Sequence, residues 1–362
     1  MVRTTISILI AWVLAGLFCP SLAAAQGAGA PAPQRSGDEG GFVLRGADGV
    51  SSLRLLGLLQ PQFATQWSDG APAGPALFVN RARLGVLGSV FSKDLQYMLV
   101  AEFGGGPRLL FLNVDYALVR DRLTVRVGQF RRPFSRSFLT FASQLSMIDR
   151  PMTVGPTVFG DNLDIGLMLH NGAAGRFEYA VGVFNGAGPN VVPDRVHPLV
   201  AARVGYNTGG LNAYSESDLE GGPARVGVAA AGIVDFDMDR DGDSFASGLV
   251  DLMIKAGGFS LSSAVYVGSR QHGPRWADQR LSAVGHHTQL GYVVARRFEP
   301  VVRYAVLLPR GAGSQHDVAG GLNVFFRGHR FKWQNVASVR IQPHGGRDGL
   351  DVRFQSQLTL AF

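Results

Sequence analysis

The sequence predicts an all-β fold, a 16-stranded antiparallel transmembrane β-barrel over residues 53–362. Three observations carry this expectation. Segments of about ten residues alternate apolar with polar side chains and are separated by turn residues, the pattern of a wall with one lipid face and one wet face. Beyond Gly41 there is no apolar run of 18 residues, so no transmembrane helix is indicated. Connections are short and long by turns, as in a barrel with tight turns on one side of a membrane and loops on the other.

The chain opens with Arg3, an apolar run from Ile6 to Phe18, and Ala23-Ala24-Ala25. This reads as a secretory signal over 1–25, its apolar run too short to span a bilayer comfortably. The single cysteine, Cys19, lies inside it, and Phe18 stands where a lipoprotein signal needs a small residue. The mature chain then has no disulfide and no thiol chemistry. Residues 26–52 follow as a flexible leader, rich in Gly, Ala, Pro and Ser as far as Gly41.

Expected strands run over Leu53–Thr65, Phe78–Phe91, Leu95–Phe103, Leu110–Val119, Leu123–Phe130, Asp164–Asn171, Phe177–Phe184 and Leu199–Tyr206. The second eight are Arg225–Val234, Gly248–Ala256, Phe259–Val267, Val284–Ala295, Val301–Leu308, Val318–Arg327, Arg330–Ile341 and Asp351–Phe362. In the last, Phe354, Leu358, Leu360 and Phe362 share one face, and Asp351, Arg353, Gln355, Gln357 and Thr359 the other. In the one before it, Phe331, Trp333, Ala337, Val339 and Ile341 oppose Arg330, Lys332, Gln334, Ser338 and Arg340. A soluble sandwich also alternates. The choice rests on long cationic side chains filling the polar face, with aromatics near strand ends on the apolar one. An Arg turned to the bilayer midplane costs roughly 2–4 kcal/mol, so the cationic face is the wet interior.

Short turns follow the even-numbered strands at Ser92-Lys93-Asp94, Arg120-Asp121-Arg122, Asn171-Gly172, Gly257-Gly258 and Gly328-His329. One connection disobeys. Asn207–Ala224 follows an even strand yet is long and polar, so it is either an excursion on the short-turn side or a sign that the count is 14 or 18.

Composition narrows the partners. The formal net charge is +7, and only Lys93, Lys255 and Lys332 among the 34 basic residues are Lys. A basic excess points to an anionic partner. For a barrel this means small anions and the lipid and lipopolysaccharide surface, with no role for nucleic acid and no cofactor. The charge concentrates after the fifth strand. Arg120, Arg122, Arg126, Arg131, Arg132, Arg136 and Arg150 face only Asp121 and Asp149 in that window. The connection from Arg131 to about Asn162 is too rich in Phe, Leu and Met for a plain linker.

Several motifs carry a resemblance: Leu59-Gln60-Pro61-Gln62-Phe63, Arg81-Ala82-Arg83-Leu84-Gly85, Tyr97–Phe103, Val127-Gly128-Gln129-Phe130 with Pro133-Phe134, Ile148-Asp149-Arg150, Asp164-Ile165-Gly166, and Tyr179–Gly186 ending in Phe184-Asn185-Gly186. Spaced along consecutive strands, they resemble the phosphate-selective porin O and P family, most closely over Leu53–Gly186. The resemblance implies a trimeric outer-membrane barrel whose third outer loop folds into the lumen, with basic residues lining the conduit. Here those positions are Arg where the family also uses Lys, which supports a general anion path before a phosphate-specific one. The expected pore-lining residues are Arg81, Arg83, Arg126, Arg131, Arg132, Arg136, Arg150, Lys332, Arg340 and Arg353. Arg stays charged and presents a planar fork to oxyanions. The competing placement is an outer-surface loop whose Arg131 and Arg132 meet lipopolysaccharide phosphates.

Two other features carry less. Asp237, Asp239 and Asp241 begin a D-x-D-x-D-G run, but Gly248 stands where a calcium loop needs Glu. His286 and His287 are adjacent on a strand, hence on opposite faces, and read as structural. The expected function is passive diffusion of small anions, phosphate or polyphosphate among them, through an Arg-lined pore, without enzymatic activity. The alternatives are a general diffusion porin without anion preference, an outer-membrane hydrolase, for which no nucleophile and base motif is present, and a soluble sandwich binding an acidic ligand.

Overall fold

The computed structural model describes residues 42–362 apart from 69–70, 157–158, 174, 193–197, 237–243, 272–279 and 345–346. The expected signal 1–25, most of the leader, and Asp237, Asp239 and Asp241 lie outside the described residues. Strands form over β1 (Val43–Arg45), β2 (Ser52–Ser68), β3 (Ala71–Val90), β4 (Ser92–Glu102), β5 (Arg108–Val119), β6 (Leu123–Arg131), β7 (Leu163–His170), β8 (Phe177–Phe184) and β9 (Leu199–Asn207). They continue as β10 (Arg225–Asp235), β11 (Ser244–Ala256), β12 (Phe259–Gln271), β13 (Arg280–Tyr292), β14 (Phe298–Pro309), β15 (Gln315–Arg327), β16 (Phe331–His344) and β17 (Arg347–Ala361).

From β2 to β17 each strand pairs antiparallel with the next, and β17 pairs with β2, so 16 strands close into a ring. The expected fold class holds, and counts of 14 and 18 are excluded: 208–224 contains no strand. At the closing seam Phe362 and Gly57 exchange backbone hydrogen bonds of 3.0 and 3.1 Å. The Phe362 ring lies over Gly57 so closely that a Cβ there would come within 2.1 Å of its Cζ, so a side chain at 57 would have to push the ring aside. Beyond the end of β17, β1 takes the vacated place beside β2, with Val43 opposite Arg54. The segment expected to be leader thus contributes a strand at its C-terminal end.

Exposure along the strands is the reverse of a soluble protein's. In β16 Lys332 and Gln334 are fully buried while Trp333 is 44% exposed. In β17 Gln355, Gln357 and Thr359 are buried while Phe354, Leu358 and Leu360 are exposed. The apolar face points outward, where lipid rather than water would cover it. At the short-turn end this face carries aromatics in contact, Phe177 with Tyr206 at 5.1 Å and Phe326 with Phe331 at 4.8 Å between centroids. Such a belt suits a headgroup boundary, where a ring meets both apolar and polar surroundings.

Strands on the other side run further than the alternation predicts. β2 and β3 extend to Ser68 and Ala71, so most of the expected 66–77 loop is hairpin. Past an apolar belt both faces of a strand meet polar surroundings. Pairing then continues while the apolar period that would reveal it disappears. Pro61 sits at a register shift between β2 and β3, as suits a residue with no N–H for the ladder.

Candidate functional site

Two connections are bonded to the buried polar side chains of the strands. The first, 132–162, joins β6 to β7. Its base is closed by Arg132 N–H donating to the Asn162 carbonyl (3.0 Å) and by the Arg132 guanidinium on Asp164 (2.6 Å). Ser135 caps a one-turn helix, α1 (Arg136–Leu139), by accepting from Phe138 N–H at 3.2 Å. Ser135 is held in turn by Asp161, which accepts from its hydroxyl (2.7 Å) and its N–H (3.1 Å). Asp161 is fully buried, and burial pushes its carboxyl up to about 7 against the opposing pull of these hydrogen bonds.

From there the segment reaches most of the ring. Arg136 meets Asp251 of β11 (2.8 Å), and Arg203 of β9 donates to the Phe134 carbonyl (2.7 Å). Thr153 bonds His287 of β13 at 2.9 Å, and the Phe159 ring fills the space above Gly285, where a Cβ would sit 2.7 Å from its Cε2. Ser146 meets Glu299 of β14 (3.2 Å), and its carbonyl accepts from Asn323 of β15 (2.8 Å) and Gln334 of β16 (3.1 Å). Asp149 accepts from Gln355 of β17 at 2.8 Å. No hydrogen bond or ion pair joins the segment to β2, β3 or β4 among the described residues.

The second connection is 208–224, the one the turn pattern left unresolved. It runs from β9 to β10 and is folded inward, with Ser215, Glu216, Ser217 and Asp218 all buried. Lys255 of β11 donates to the Asn212 and Ser217 carbonyls (3.1 and 3.0 Å), and Gln289 of β13 donates to Glu216 (2.9 Å). The two connections meet. Glu216 N–H donates to the Gln144 carbonyl (3.1 Å), the Glu216 carboxylate accepts from Ser146 N–H (2.8 Å), and Arg136 donates to the Ala213 carbonyl (3.2 Å).

The ten cations expected on the anion path fall into two sets. Six are matched by carboxylates: Arg83 with Glu102 (2.7 Å), Arg126 with Asp115 (2.6 Å), Arg132 with Asp164, Arg136 with Asp251, Arg340 with Asp317 (3.2 Å) and Arg353 with Asp149 (3.1 Å). The other four have no carboxylate in ion-pair reach among the described residues. Arg81 donates to Gln60 (2.8 Å), Arg131 to the Leu139 carbonyl (2.7 Å), Arg150 to the carbonyls of Ser137 (2.9 Å) and Thr140 (2.6 Å), and Lys332 to that of Leu145.

Two of these four share one ring. Arg131 and Arg150 lie on the Phe138 ring, each 5.5 Å from its centroid. Arg150 is pulled down to about 10, first by burial and then by the positive charge of Arg81, with Arg83 adding to it. The charges of Arg81 and Arg83 on β3 thus reach Arg150, on the side where neither connection is hydrogen-bonded to the wall among the described residues.

Reading cations alone overlooked their counter-ions. Glu178 and Asp251 hold Arg203 (2.9 and 2.6 Å), and Glu178 also accepts from Asn207 and Tyr214. Strand parity places both carboxylates on the inner face, so that signal was present in the sequence. Their partners, on distant segments, left none.

No family model matches the chain. An uncharacterized protein of Aquifex aeolicus (strain VF5) is 24% identical over 257 residues, covering 63% of this chain and 61% of that protein, so the match spans less than two thirds of the relative. Among solved structures, an anion-selective porin from Comamonas acidovorans superposes with a TM-score of 0.63 at 13% identity, covering 86% of this chain and all of that one. The outer membrane channel DcaP of Acinetobacter baumannii gives 0.62 at 9% identity, covering 88% of this chain and 99% of that one. The outer-membrane expressed OmpT of Vibrio cholerae gives 0.60 at 12%, covering 89% and 100%. At such identities the likeness establishes a porin-type barrel. The narrower phosphate-selective family rests on the motifs alone.

Proposed function

We propose that this chain is an outer-membrane channel for the passive diffusion of small anions. Segments 132–162 and 208–224 lie in the lumen and block the side bounded by β8–β16, and ions pass along β2–β4. The observation that carries the reading is the set of cations without carboxylates. They are Arg81 on β3, Arg131 at the end of β6 and Arg150 on 132–162, with the charges of Arg81 and Arg83 reaching Arg150. Rings of Arg suit anion-selective pores. Phosphate-like anions fit the planar guanidinium fork. Arg126, Arg132, Arg136, Arg340 and Arg353, all ion-paired, shape the lumen and contribute less to the field than their number implies.

The same reading places the chain in the outer membrane of a Gram-negative bacterium after removal of 1–25, in contact with lipid and lipopolysaccharide, as a homotrimer. It is supported by the exposed apolar belt and by the porin-type neighbours. A general diffusion porin is the second reading, favoured by the extent of carboxylate pairing. The deciding experiment is the reversal potential across a planar bilayer under a potassium chloride gradient. Anion preference that falls when Arg81, Arg131 and Arg150 are together changed to Ala supports the first reading. Absence of preference in the unaltered protein establishes the second.

A further inference from the structure

The uncovered side of 132–162 is more than a row of charges. Phe141 is 46% exposed, although its neighbours in the segment are largely buried. Its ring meets Phe111 edge-on at 6.1 Å. The Arg131 guanidinium lies 4.9 Å from the Phe141 centroid, 5.2 Å from Phe111 and 5.5 Å from Phe138, and Arg150 occupies Phe138 as well. Carbonyls of Ser137, Leu139 and Thr140, all in or next to α1, fix both guanidinium groups. Those bonds leave donors free on each fork, already oriented.

A hydrated inorganic anion uses only half of such a site. It gains from the forks and nothing from an exposed phenyl ring, which water solvates poorly. An anion with a flat apolar body uses both, the carboxylate on the forks and the ring edge-on or offset against Phe141. We infer that this face holds aromatic carboxylates in preference to aliphatic or inorganic anions of equal charge, with Arg131 and Arg150 taking the carboxylate and Phe141 the ring. The inference rests on the anion-channel reading above and names its substrate class.

The test uses the full chain in planar bilayers, with chloride as carrier and benzoate or acetate added well above the pKa of either acid. Benzoate is expected to halve the chloride current at a concentration about three- to tenfold below acetate's, the range one aromatic contact supplies. In Phe141→Leu and Phe141→Ala the two concentrations are expected to converge. Equal values in the unaltered protein overturn the inference without need of any variant, and so does a benzoate advantage that survives in Phe141→Leu. The reversal potential separates the two levels. If it shows no anion preference, the channel reading falls and this inference with it. If anions are preferred while benzoate and acetate act alike, only the aromatic preference is lost.

Discussion

The β8–β16 wall and the β2–β4 wall line the same barrel and differ in what their charges meet. On the first, Glu178, Arg203, Asp251 and Arg136 form one buried network, and 132–162 and 208–224 are sewn onto it by backbone and side-chain bonds. On the second, among the described residues, Arg81 has only an amide partner and Arg83 one carboxylate. Counting basic residues treats the two walls alike. Pairing separates them: charges on one wall are neutralised within a bonded network, and on the other they are matched by fewer carboxylates.

The largest expected effect breaks the first wall. Asp251→Ala leaves the buried Arg136 and Arg203 with Glu178 as the one carboxylate between them, at a cost approaching roughly 3–5 kcal/mol. The temperature at which the folded form shifts to the unfolded form on gels should fall clearly, and single-channel noise should rise as 132–162 loosens. Next in size is the contrast between two double variants of equal charge change. Arg81→Ala with Arg150→Ala should move the reversal potential toward zero while the gel transition changes little. Arg132→Ala with Arg136→Ala should do the opposite, lowering the transition by leaving Asp164 without its ion pair and Asp251 with Arg203 alone. If both doubles shift selectivity equally, the distinction between the walls is wrong.

A smaller effect depends on pH. Asp161 has its carboxyl raised from its ordinary value to about 7 by burial. The folded state therefore holds the proton more tightly than the unfolded chain does. The stabilisation is fully present below the ordinary carboxyl value near 3.8, falls as pH rises from there, and is gone above about 7. Protease nicking within 132–162 should increase across that window, and Asp161→Asn should flatten the profile. The smallest effect is a control. Arg120 and Asp94 form an exposed pair at a tight turn. Arg120→Ala should leave both the gel transition and the reversal potential where they were, because exposed pairs are screened by water and salt.

Much of the barrel could be read from residues. Parity along the strand separated Lys332 and Gln334 from Trp333, and burial in the structure follows the same split, because a period of two survives wherever one face meets an apolar surface. Interior pairing could not be read. Arg136 meets Asp251 and Ser146 meets Glu299 across separations of 115 and 153 residues, set by ring closure and by no local pattern. The inward path of 208–224 was hidden for a related reason. Its Ser, Glu and Asp residues suit water, and they suit equally an interior furnished with Lys255, Gln289 and Asn323.

The seam between β17 and β2 has a consequence in time. Gln60 and Thr359 hydrogen-bond across a separation of 299 residues, so the ring cannot shut until nearly the whole chain is in hand. Contacts of such long range are slow to form, because the loop they close must be found by search. By then 132–162 and 208–224 can already have found each other and the strands around them. A barrel that shut first would have to admit two buried, mutually bonded segments through its ends. Assembly in which the strands wrap around a pre-gathered interior and the β17–β2 seam zips last avoids that obstacle.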